Sequence, residues 1–402
     1  MAKCEHTALI MLPDSLWPFT MTSNSSSHQS ANASLGPLAG LKIIEFSGIG
    51  PGPFTGMMLA DMGADVIVID RASDVARAAK CPRAASNRGK RSIALDLKLD
   101  ADREVVWALI DSADALIEGF RPGVMERLGF GPEDVEVRNP KLVYGRVTGW
   151  GQTGPLAHAA GHDINYVALT GVLSTSARQG QAPVIPPTIV GDMAGGAMFL
   201  AFGLVCALLE AQKSGRGQVV DAAMIDGVTA MSGLLHQMRS NGSWTDKADR
   251  NFFSNSSPFY EVFECADGNY ITLGAIEPQF YAQLLKLLEL DEVEPRMQYD
   301  ASNWAQLKQR MAETIRQKTR AEWQNLLEGT DACFAPVLSL TEAAEHPHNK
   351  SRGLFVDVNG QRQPAPAPRF SRSMVRNPSP GALCGEHTQD VLAELGIHRS
   401  PI

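Results

Sequence analysis

The chain has 402 residues, with 36 Lys and Arg against 44 Asp and Glu, and a formal net charge of -8 at pH 7. Hydrophobic residues make up 44% and charged residues 20%, which excludes a disordered, collagen-like or coiled-coil chain. An acidic chain is not expected to bind nucleic acid, because neutralising phosphates requires an excess of basic residues. The six cysteines show no metal-ligand spacing, so we predict neither a metal site nor a disulfide framework.

Residues 1–36 predict a disordered N-terminal extension. They contain one Lys and no Arg and are rich in Ser and Asn, so they resemble neither a secretory signal peptide nor a mitochondrial transit peptide. The last residues, Arg399–Ile402, do not form a peroxisomal signal of the Ser-Lys-Leu kind. We therefore expect a cytoplasmic protein, with an organelle as the open alternative.

From Leu38 onward, short apolar strands alternate with helical segments. The predicted strands are Lys42–Phe46, Val66–Asp70, Ser92–Leu95, Ala115–Glu118 and Leu142–Val147, and the predicted helices between them are Phe54–Met62 and Ala101–Ser112. This alternation predicts an α/β fold with a doubly wound, Rossmann-like, largely parallel sheet and helices on both faces. Such sheets bind ligands at the carboxyl ends of their strands.

The second half of the chain predicts one long apolar helix and a smaller α+β domain. The uncharged run Met193–Leu209 favours a buried core helix over a membrane span. The smaller domain has strands at Tyr260–Cys265 and Tyr270–Gly274, joined as a hairpin, and helices at Gln279–Leu290, Trp304–Gln317 and Arg320–Glu328. Gln361–Arg376 is typical of a linker, and the final helix, Gln389–Leu395, is expected to dock on the first domain. We assign residues 37–225 with 350–402 to the large domain and 226–349 to the small domain.

Two features near the predicted strand ends suggest ligand binding. The turn Ser47–Pro53, followed by Asp70, imitates a dinucleotide fingerprint, but its prolines lack the N–H groups that would hold a pyrophosphate, so a tight strand-to-helix turn is the default interpretation. Residues 71–91 carry seven cations and one acid, a local charge of +6. This cluster is either a solvated face or a site for a small polyanion, such as a nucleotide carrier with several phosphates.

Three titratable residues are candidates for proton transfer. Asp163 is predicted to cap a short helix that ends at Gly171, which leaves His162 exposed to a cavity. His162 is either structural or an acid/base near neutrality, and N–H groups at the helix start can stabilise an oxyanion. Asp192 is either the N-cap of the long apolar helix or a partly desolvated acid. Glu277, which precedes Pro278, is either a helix cap, for which Glu is poorly suited, or a partly desolvated acid as well.

Taken in order, these motifs resemble the family III CoA-transferase superfamily, and within it the branch of racemases that act on 2-methylacyl-CoA. The resemblance covers Leu38 to about Thr388. It rests on the strings Phe46–Gly48 with Pro51–Phe54, Asp70–Arg71, Arg88–Ser92, Leu95–Lys98, Arg121–Val124, Gly161–Tyr166, Gly191–Asp192, Gly274–Tyr281 and Gly385–Thr388.

The resemblance implies a fold, an assembly and a set of site residues. Two chains would interlock as a homodimer, with each active site shared between the large CoA-binding domain of one chain and the small domain of the other. His162 and Asp192 would be the catalytic acid/bases, and Glu277 would orient His162. The implied CoA and substrate contacts are Arg71, Leu95, Asp96, Leu97, Lys98, Gly161, Asp163, Ile164, Asn165 and Tyr166, with the backbone N–H of Asp163 directed to the thioester oxygen.

The implied activity is a racemase or epimerase of fatty acid and lipid metabolism. It would interconvert (R)- and (S)-2-methylacyl-CoA by two-base proton transfer through an enolate. No metal or cofactor is implied, since coenzyme A is part of the substrate, and no nucleic acid or membrane partner is expected. The alternative is a CoA transferase with Asp192 as the nucleophile of an aspartyl-CoA intermediate. The transferase does not need His162, and a non-catalytic acyl-CoA binder would need neither acid/base.

Overall fold

The structure is a computed structural model, which describes residues 36–178, 180–247, 250–375 and 377–398. The predicted N-terminal extension, apart from its last residue, lies outside the described residues. The C-terminal residues 399–402 lie outside them as well.

Six parallel strands form the central sheet in the order β3-β2-β1-β4-β5-β6. They are β1 (Lys42–Phe46), β2 (Asp65–Arg71), β3 (Arg91–Leu95), β4 (Ala115–Glu118), β5 (Val143–Thr148) and β6 (Val219–Ala223). The strand order reverses between β1 and β4, which makes a topological switch point there. This arrangement confirms the predicted doubly wound, Rossmann-like sheet.

Helices cover both faces of this sheet. They are α1 (Pro51–Asp61), α2 (Val75–Ala78), α3 (Asp100–Asp111), α4 (Val124–Leu128), α5 (Pro132–Arg138), α6 (Asp163–Leu169), α7 (Phe199–Ser214), α8 (Met224–Met231) and α9 (Gly233–Ser240). Alternate residues of one strand point to opposite cores: Ile44 packs with Leu109 of α3, whereas Ile43 packs with Leu204 of α7. The sheet is therefore buried on both faces, as its apolar strands predict.

The long apolar helix is buried on one side only. A π-helical segment, Ile189–Met198, runs directly into α7, and Leu200 and Leu204 pack fully buried against Gly145 of β5. Phe202 and Leu209, on the other side, are 71% and 55% exposed. The prediction of a buried core helix is thus correct for one side and wrong for the other. Among the described residues this helix alone has the length and composition to cross a membrane, and 39% of its apolar window is buried.

The region after the large sheet is a smaller α+β unit with its own core. Its antiparallel sheet joins β7 (Tyr260–Glu264), β8 (Tyr270–Gly274) and β9 (Phe334–Pro336), and its helices are α10 (Pro278–Leu287), α11 (Trp304–Ile315) and α12 (Arg320–Leu327). The hairpin was predicted, and β9 was not. The chain continues through α13 (Leu340–Glu345), α14 (Pro347–Ser351), the hairpin β10 (Phe355–Val358) and β11 (Gln361–Pro364), and α15 (Thr388–Glu394). The predicted linker therefore begins with a strand.

The C-terminal segment completes the edge of the large sheet at β3. The Ser92 N–H donates to His387 Nδ1 (3.2 Å), the His387 N–H donates to the Ser92 carbonyl (2.9 Å), and the Ala94 N–H donates to Thr388 Oγ1 (3.1 Å). Val391 and Leu392 of α15 join the large core, as the predicted docking of the final helix requires. These bonds satisfy an edge strand that would otherwise be open to pairing with other chains.

Candidate active site

A cavity of about 490 Å³ opens at the carboxyl ends of the strands, and we call it the pocket. The loops after β1, β4 and β5 form its walls, together with the start of α6 and the π-helical segment. Its lining includes Gly50, Arg121, Trp150, Gly161, His162, Tyr166, Asp192, Met193 and Met224. The pocket thus lies where a doubly wound sheet is expected to bind its ligand.

The glycine and proline turn after β1 forms the wall next to Asp192. Gly50 has a φ of 71°, and a Cβ built on it would lie 3.6 Å from Asp192 Oδ2. Pro51 begins α1 and lies against Gly196 of the π-helical segment. The predicted tight turn is therefore correct, and its glycine also brings the backbone close to a candidate catalytic carboxylate.

Most side chains of the basic cluster form ion pairs within the protein. Five of its seven cations have carboxylate partners: Arg77 with Asp74 (3.2 Å), Arg83 with Glu386 (2.6 Å), Arg88 with Asp61 (2.6 Å), Lys90 with Glu45 (2.7 Å) and Arg91 with Asp65 (2.6 Å). Arg88 and Lys90 are buried. The cluster is therefore not a set of seven free cations, because five of its side chains pair within the protein, two of them with the buried carboxylates of Asp61 and Glu45. Among the described residues, Arg71 and Lys80 are its exposed cations without an ion pair.

Arg71 and the segment Leu95–Lys98 lie at neighbouring strand ends. Arg71 is the register partner of Leu95 in the β2–β3 pair. The Asp96 N–H donates to Asp102 Oδ2 (2.7 Å), and the Lys98 N–H donates to Asp96 Oδ1 (3.1 Å), so hydrogen bonds hold the turn. The Leu95 side chain is buried, whereas Lys98 is exposed. These residues do not line the pocket, and they form a second, basic surface at the same end of the sheet.

His162 is the N-cap of α6, a position that we predicted for Asp163. The His162 N–H donates to Asn165 Oδ1 (3.0 Å), and its exposed side chain lines the pocket. Tyr166 donates to the Gly161 carbonyl and packs edge-on against Trp150, with ring centroids 4.7 Å apart. The turn that presents His162 is therefore held by Asn165 and Tyr166. Ile164 is 52% exposed and does not line the pocket.

Asp163 is the first residue of α6, and its buried carboxylate reaches the π-helical segment. Asp163 Oδ2 accepts hydrogen bonds from the N–H groups of Gly191 (2.6 Å) and Asp192 (2.8 Å). A Cβ built on Gly191 would lie 2.7 Å from the same oxygen, so the approach requires glycine. The side chain thus does not cap its own helix as predicted, because it bonds to a segment distant in sequence.

Asp192 lies within the π-helical segment, so of the two alternatives that the sequence left open, the N-cap is wrong and the partly desolvated acid is correct. The segment is packed closely: a Cβ on Gly227 of α8 would lie 2.0 Å from the Gly195 carbonyl oxygen, and Thr55 of α1 donates to the Ala197 carbonyl (3.1 Å). Burial raises the pKa of Asp192, the Asp163 carboxylate raises it further, and His162 opposes the rise. The half-buried carboxyl therefore gives up its proton closer to neutrality than an ordinary Asp does.

Glu277 is exposed at the start of α10 and does not line the pocket of its own chain. Two side chains that the sequence analysis missed hold the backbone beside it. Gln298 Nε2 donates to the carbonyls of Ala275 (2.9 Å) and Ile276 (2.9 Å), and the Tyr299 hydroxyl donates to the Ile276 carbonyl (2.7 Å). No motif in the sequence identifies these two residues, which follow α10 in the chain.

Other pocket residues could have been predicted from the strand pattern. Phe120 and Arg121 follow β4 and line the pocket, so the rule that placed Arg71 at a strand end also applies to them. Met224 follows β6 in the same way, but that strand was not predicted. Within the described residues, no three His, Cys, Asp or Glu side chains are grouped to hold a metal ion.

The chain is similar to known proteins in both sequence and structure. The family model described as CoA-transferase family III matches residues 38–388. The chain is 42% identical to a mouse alpha-methylacyl-CoA racemase over 91% of this chain and 95% of the relative, and 29% identical to a mouse succinyl-CoA:glutarate CoA-transferase over 91% and 88%. The crystal structure of a CAIB/BAIF family protein from Brucella suis superposes with a TM-score of 0.78 and 26% identity, covering 90% of this chain and 100% of that one.

Replacement of Asp192 by Asn is expected to stabilise the protein at neutral pH. The raised pKa means that the folded state binds the Asp192 proton more tightly than the unfolded chain, so wild-type stability falls as the pH rises through that pKa. Urea unfolding of Asp192→Asn and wild type from about pH 3 to about pH 8 measures the difference between their free energies of unfolding. This difference should be largest above the folded-state pKa of Asp192 and absent below the ordinary pKa of Asp. Asp291→Asn, at an exposed turn, is the control. A gap that widens toward acid would contradict the prediction.

Proposed function

This chain belongs to CoA-transferase family III, and from that membership we propose that it interconverts (R)- and (S)-2-methylacyl-CoA thioesters. The observation that carries the proposal is the presence of His162 and Asp192 on the wall of one pocket. A mouse protein named as a racemase of this substrate class is 42% identical over 91% of the chain. The enzyme is therefore an isomerase that moves a proton at a single carbon.

The proposed reaction needs one proton acceptor and one proton donor on opposite faces of the α-carbon. One residue of the pair removes the α-proton, and the electron pair of the C–H bond moves into an enolate whose negative charge lies on the thioester oxygen. The other residue then returns a proton to the opposite face. The raised pKa of Asp192 suits this exchange, because an acid that titrates closer to neutrality can serve in both directions.

The start of α6 supplies the group that stabilises the enolate. The first N–H groups of a helix have no partner within the helix, and that of Asp163 directly follows His162. A backbone donor aimed at the developing oxyanion lowers the barrier by several kcal/mol, on the order of 3. We assign this N–H to the thioester oxygen, with Gly161, Ile164, Asn165 and Tyr166 shaping the same turn.

The basic surface at the neighbouring strand ends is assigned to the CoA carrier. Arg71 and Lys98 are exposed there, and guanidinium and ammonium groups pair with phosphates. Leu95, Asp96 and Leu97 contribute backbone groups, since the Leu95 side chain is buried and Asp96 holds the turn. The proposed sites for the carrier and for proton transfer are thus adjacent to each other at the carboxyl ends of the strands.

We assign Glu277 to the site through a homodimer. Glu277 does not line the pocket of its own chain, so orienting His162 requires Glu277 of the partner subunit. The exposed side of α7, with Phe202 and Leu209, is an apolar surface for a second chain to cover. Fatty acid metabolism and a cytoplasmic location stay predictions, as does catalysis without a cofactor beyond the CoA of the substrate.

The alternative is a CoA transferase, which is consistent with the 29% identity to a transferase but has less support than the racemase at 42% identity. In that reaction the Asp192 carboxylate would attack the thioester carbonyl and expel the CoA thiolate, forming a mixed anhydride. The thiolate would then attack the aspartyl carbonyl, releasing the acyl group as its carboxylate and leaving an aspartyl-CoA thioester. The α-carbon would keep its proton throughout. The two activities therefore differ in a property that one isotope experiment measures.

Incubation of either enantiomer of a 2-methylacyl-CoA in D₂O, without an acceptor acid, is expected to place deuterium at the α-carbon as the configuration is lost. His162→Ala should slow this uptake by about 10² to 10⁴ in at least one direction, because it removes a general acid/base. NMR and mass spectrometry follow the label. The absence of label, together with CoA transfer in a parallel incubation that contains an acceptor acid and a borohydride-trappable thioester on Asp192, would support the transferase instead.

Charge reversal at Arg71 tests the assignment of the carrier surface. Arg71→Glu should raise KM about tenfold or more for acyl-CoAs of different chain length, because the lost contact is to the shared carrier. The control is Lys141→Glu, an exposed cation at the opposite end of the sheet, which should leave KM unchanged. An increase in KM for one acyl chain only would place Arg71 at the acyl group.

Mixed dimers test the shared site. Glu277→Ala and Asp192→Ala chains are each expected to be nearly inactive, and refolding them together should restore activity through heterodimers with one intact site. Each variant refolded alone is the control. Heterodimers confirmed by mass but without activity would show that Glu277 acts within its own chain, and an active Glu277→Ala variant refolded alone would show that Glu277 is not needed.

A further inference from the structure

We propose that the Asp163 side chain is a positioning residue that holds Asp192 in place relative to His162 and adjusts its charge, an inference that rests on the proposed racemase function. The mechanism above uses only the backbone N–H of Asp163. Its carboxylate is buried and is not needed to contact the substrate. The residue therefore has a second group whose contacts lie entirely within the protein.

The geometry joins three functional groups through this one residue. Asp163 directly follows His162, its N–H is assigned to the thioester oxygen, and its Oδ2 accepts the N–H groups of Gly191 and Asp192 at 2.6 and 2.8 Å. A displacement of the π-helical segment relative to α6 would break both bonds. The spacing of the proton-transfer pair is thus set by a short, charge-assisted link and not by the long loop between the two residues.

The local structure on the other side of the link is built to receive it. Thr188, before the segment, has a φ of 57°, which is rare for a β-branched residue, and Gly191 has no room for a side chain beside the carboxylate. The positive end of the helix that begins at Ile189 faces the Asp163 carboxylate. The link therefore combines two hydrogen bonds with a favourable dipole.

The same carboxylate acts on the charge of Asp192. Within the described chain, the charged groups that shift the Asp192 pKa are Asp163, which raises it, and His162, which lowers it. Tyr166 faces Asp192 from α6, and Arg121 acts on Tyr166 from the loop after β4. α1, α7, α8, β5 and β6 also pack against the segment, and none of them supplies a charge that shifts this pKa. Removing the charge of Asp163 must therefore lower the pKa of Asp192.

Three variants separate position from charge, and all keep the backbone N–H of residue 163. Asp163→Asn removes the charge and retains an oxygen that can accept both N–H groups, Asp163→Ala removes both properties, and Gly191→Ala leaves the charge but crowds the contact. The matched control is Asp114→Asn, a carboxylate that accepts the Lys42 N–H (2.8 Å) at the opposite end of the sheet.

The experiment measures α-deuterium exchange from each enantiomer and determines its kcat and KM as a function of pH. Asp163→Asn should move the acidic limb of the kcat/KM profile to lower pH, since Asp192 then loses its proton more readily. Asp163→Ala and Gly191→Ala should lower kcat about 10²-fold with KM changed less than about twofold, because misplacement affects the chemistry more than carrier binding. Asp114→Asn should match wild type.

The outcomes distinguish this inference from the proposed function. Should wild type exchange deuterium while Asp163→Asn keeps the wild-type acidic limb and Gly191→Ala keeps the wild-type kcat, the positioning role is wrong and the racemase stands. A wild-type enzyme without exchange overturns the racemase and this role with it. Poor folding of Asp163→Ala leaves the other two variants to decide.

Discussion

The hydrogen bonds from Gly191 and Asp192 to the Asp163 carboxylate join the two halves of the pocket. One half is the start of α6, with His162, and the other is the π-helical segment, with Asp192. The segment is itself held by backbone contacts that only glycine allows, at Gly191 against Asp163 and at Gly195 against Gly227. Proton transfer at one carbon requires two side chains in fixed positions, and this close packing holds the segment that carries one of them.

Cations in this protein either form ion pairs within the fold or stay exposed and unpaired, and the sequence alone does not show which of them do which. Most cations of the basic cluster neutralise buried or half-buried carboxylates, as Lys90 does for Glu45 and Arg88 for Asp61. A buried ion left without its partner is costly, so these side chains are not available to a ligand. The proposed carrier site uses instead Arg71 and Lys98, which are exposed at the ends of β2 and β3.

The single chain presents two features that the proposed homodimer explains together. Glu277 is exposed on the small α+β unit and does not line the pocket, although Gln298 and Tyr299 hold the carbonyls of the two residues before it. The outer side of α7 is apolar and exposed, although the inner side is fully buried. An exposed apolar side of a helix favours burial against another chain, and in the proposed dimer the partner that covers it also delivers a carboxylate to His162.

The sequence by itself determined the doubly wound sheet, the hairpin, the docking of the last helix, the family and the candidates His162, Asp192 and Glu277, because periodicity, turn residues and ordered motifs are local signals. It did not determine that His162 and not Asp163 caps α6, that Asp192 lies inside a π-helical segment, or that α7 is buried on one side only. Nor did it show which cations are paired, or that Gln298 and Tyr299 support Glu277. These properties depend on contacts between residues far apart in the chain, such as Asp163 with Gly191 and Arg88 with Asp61, and only the tertiary structure decides which partner a polar side chain finds.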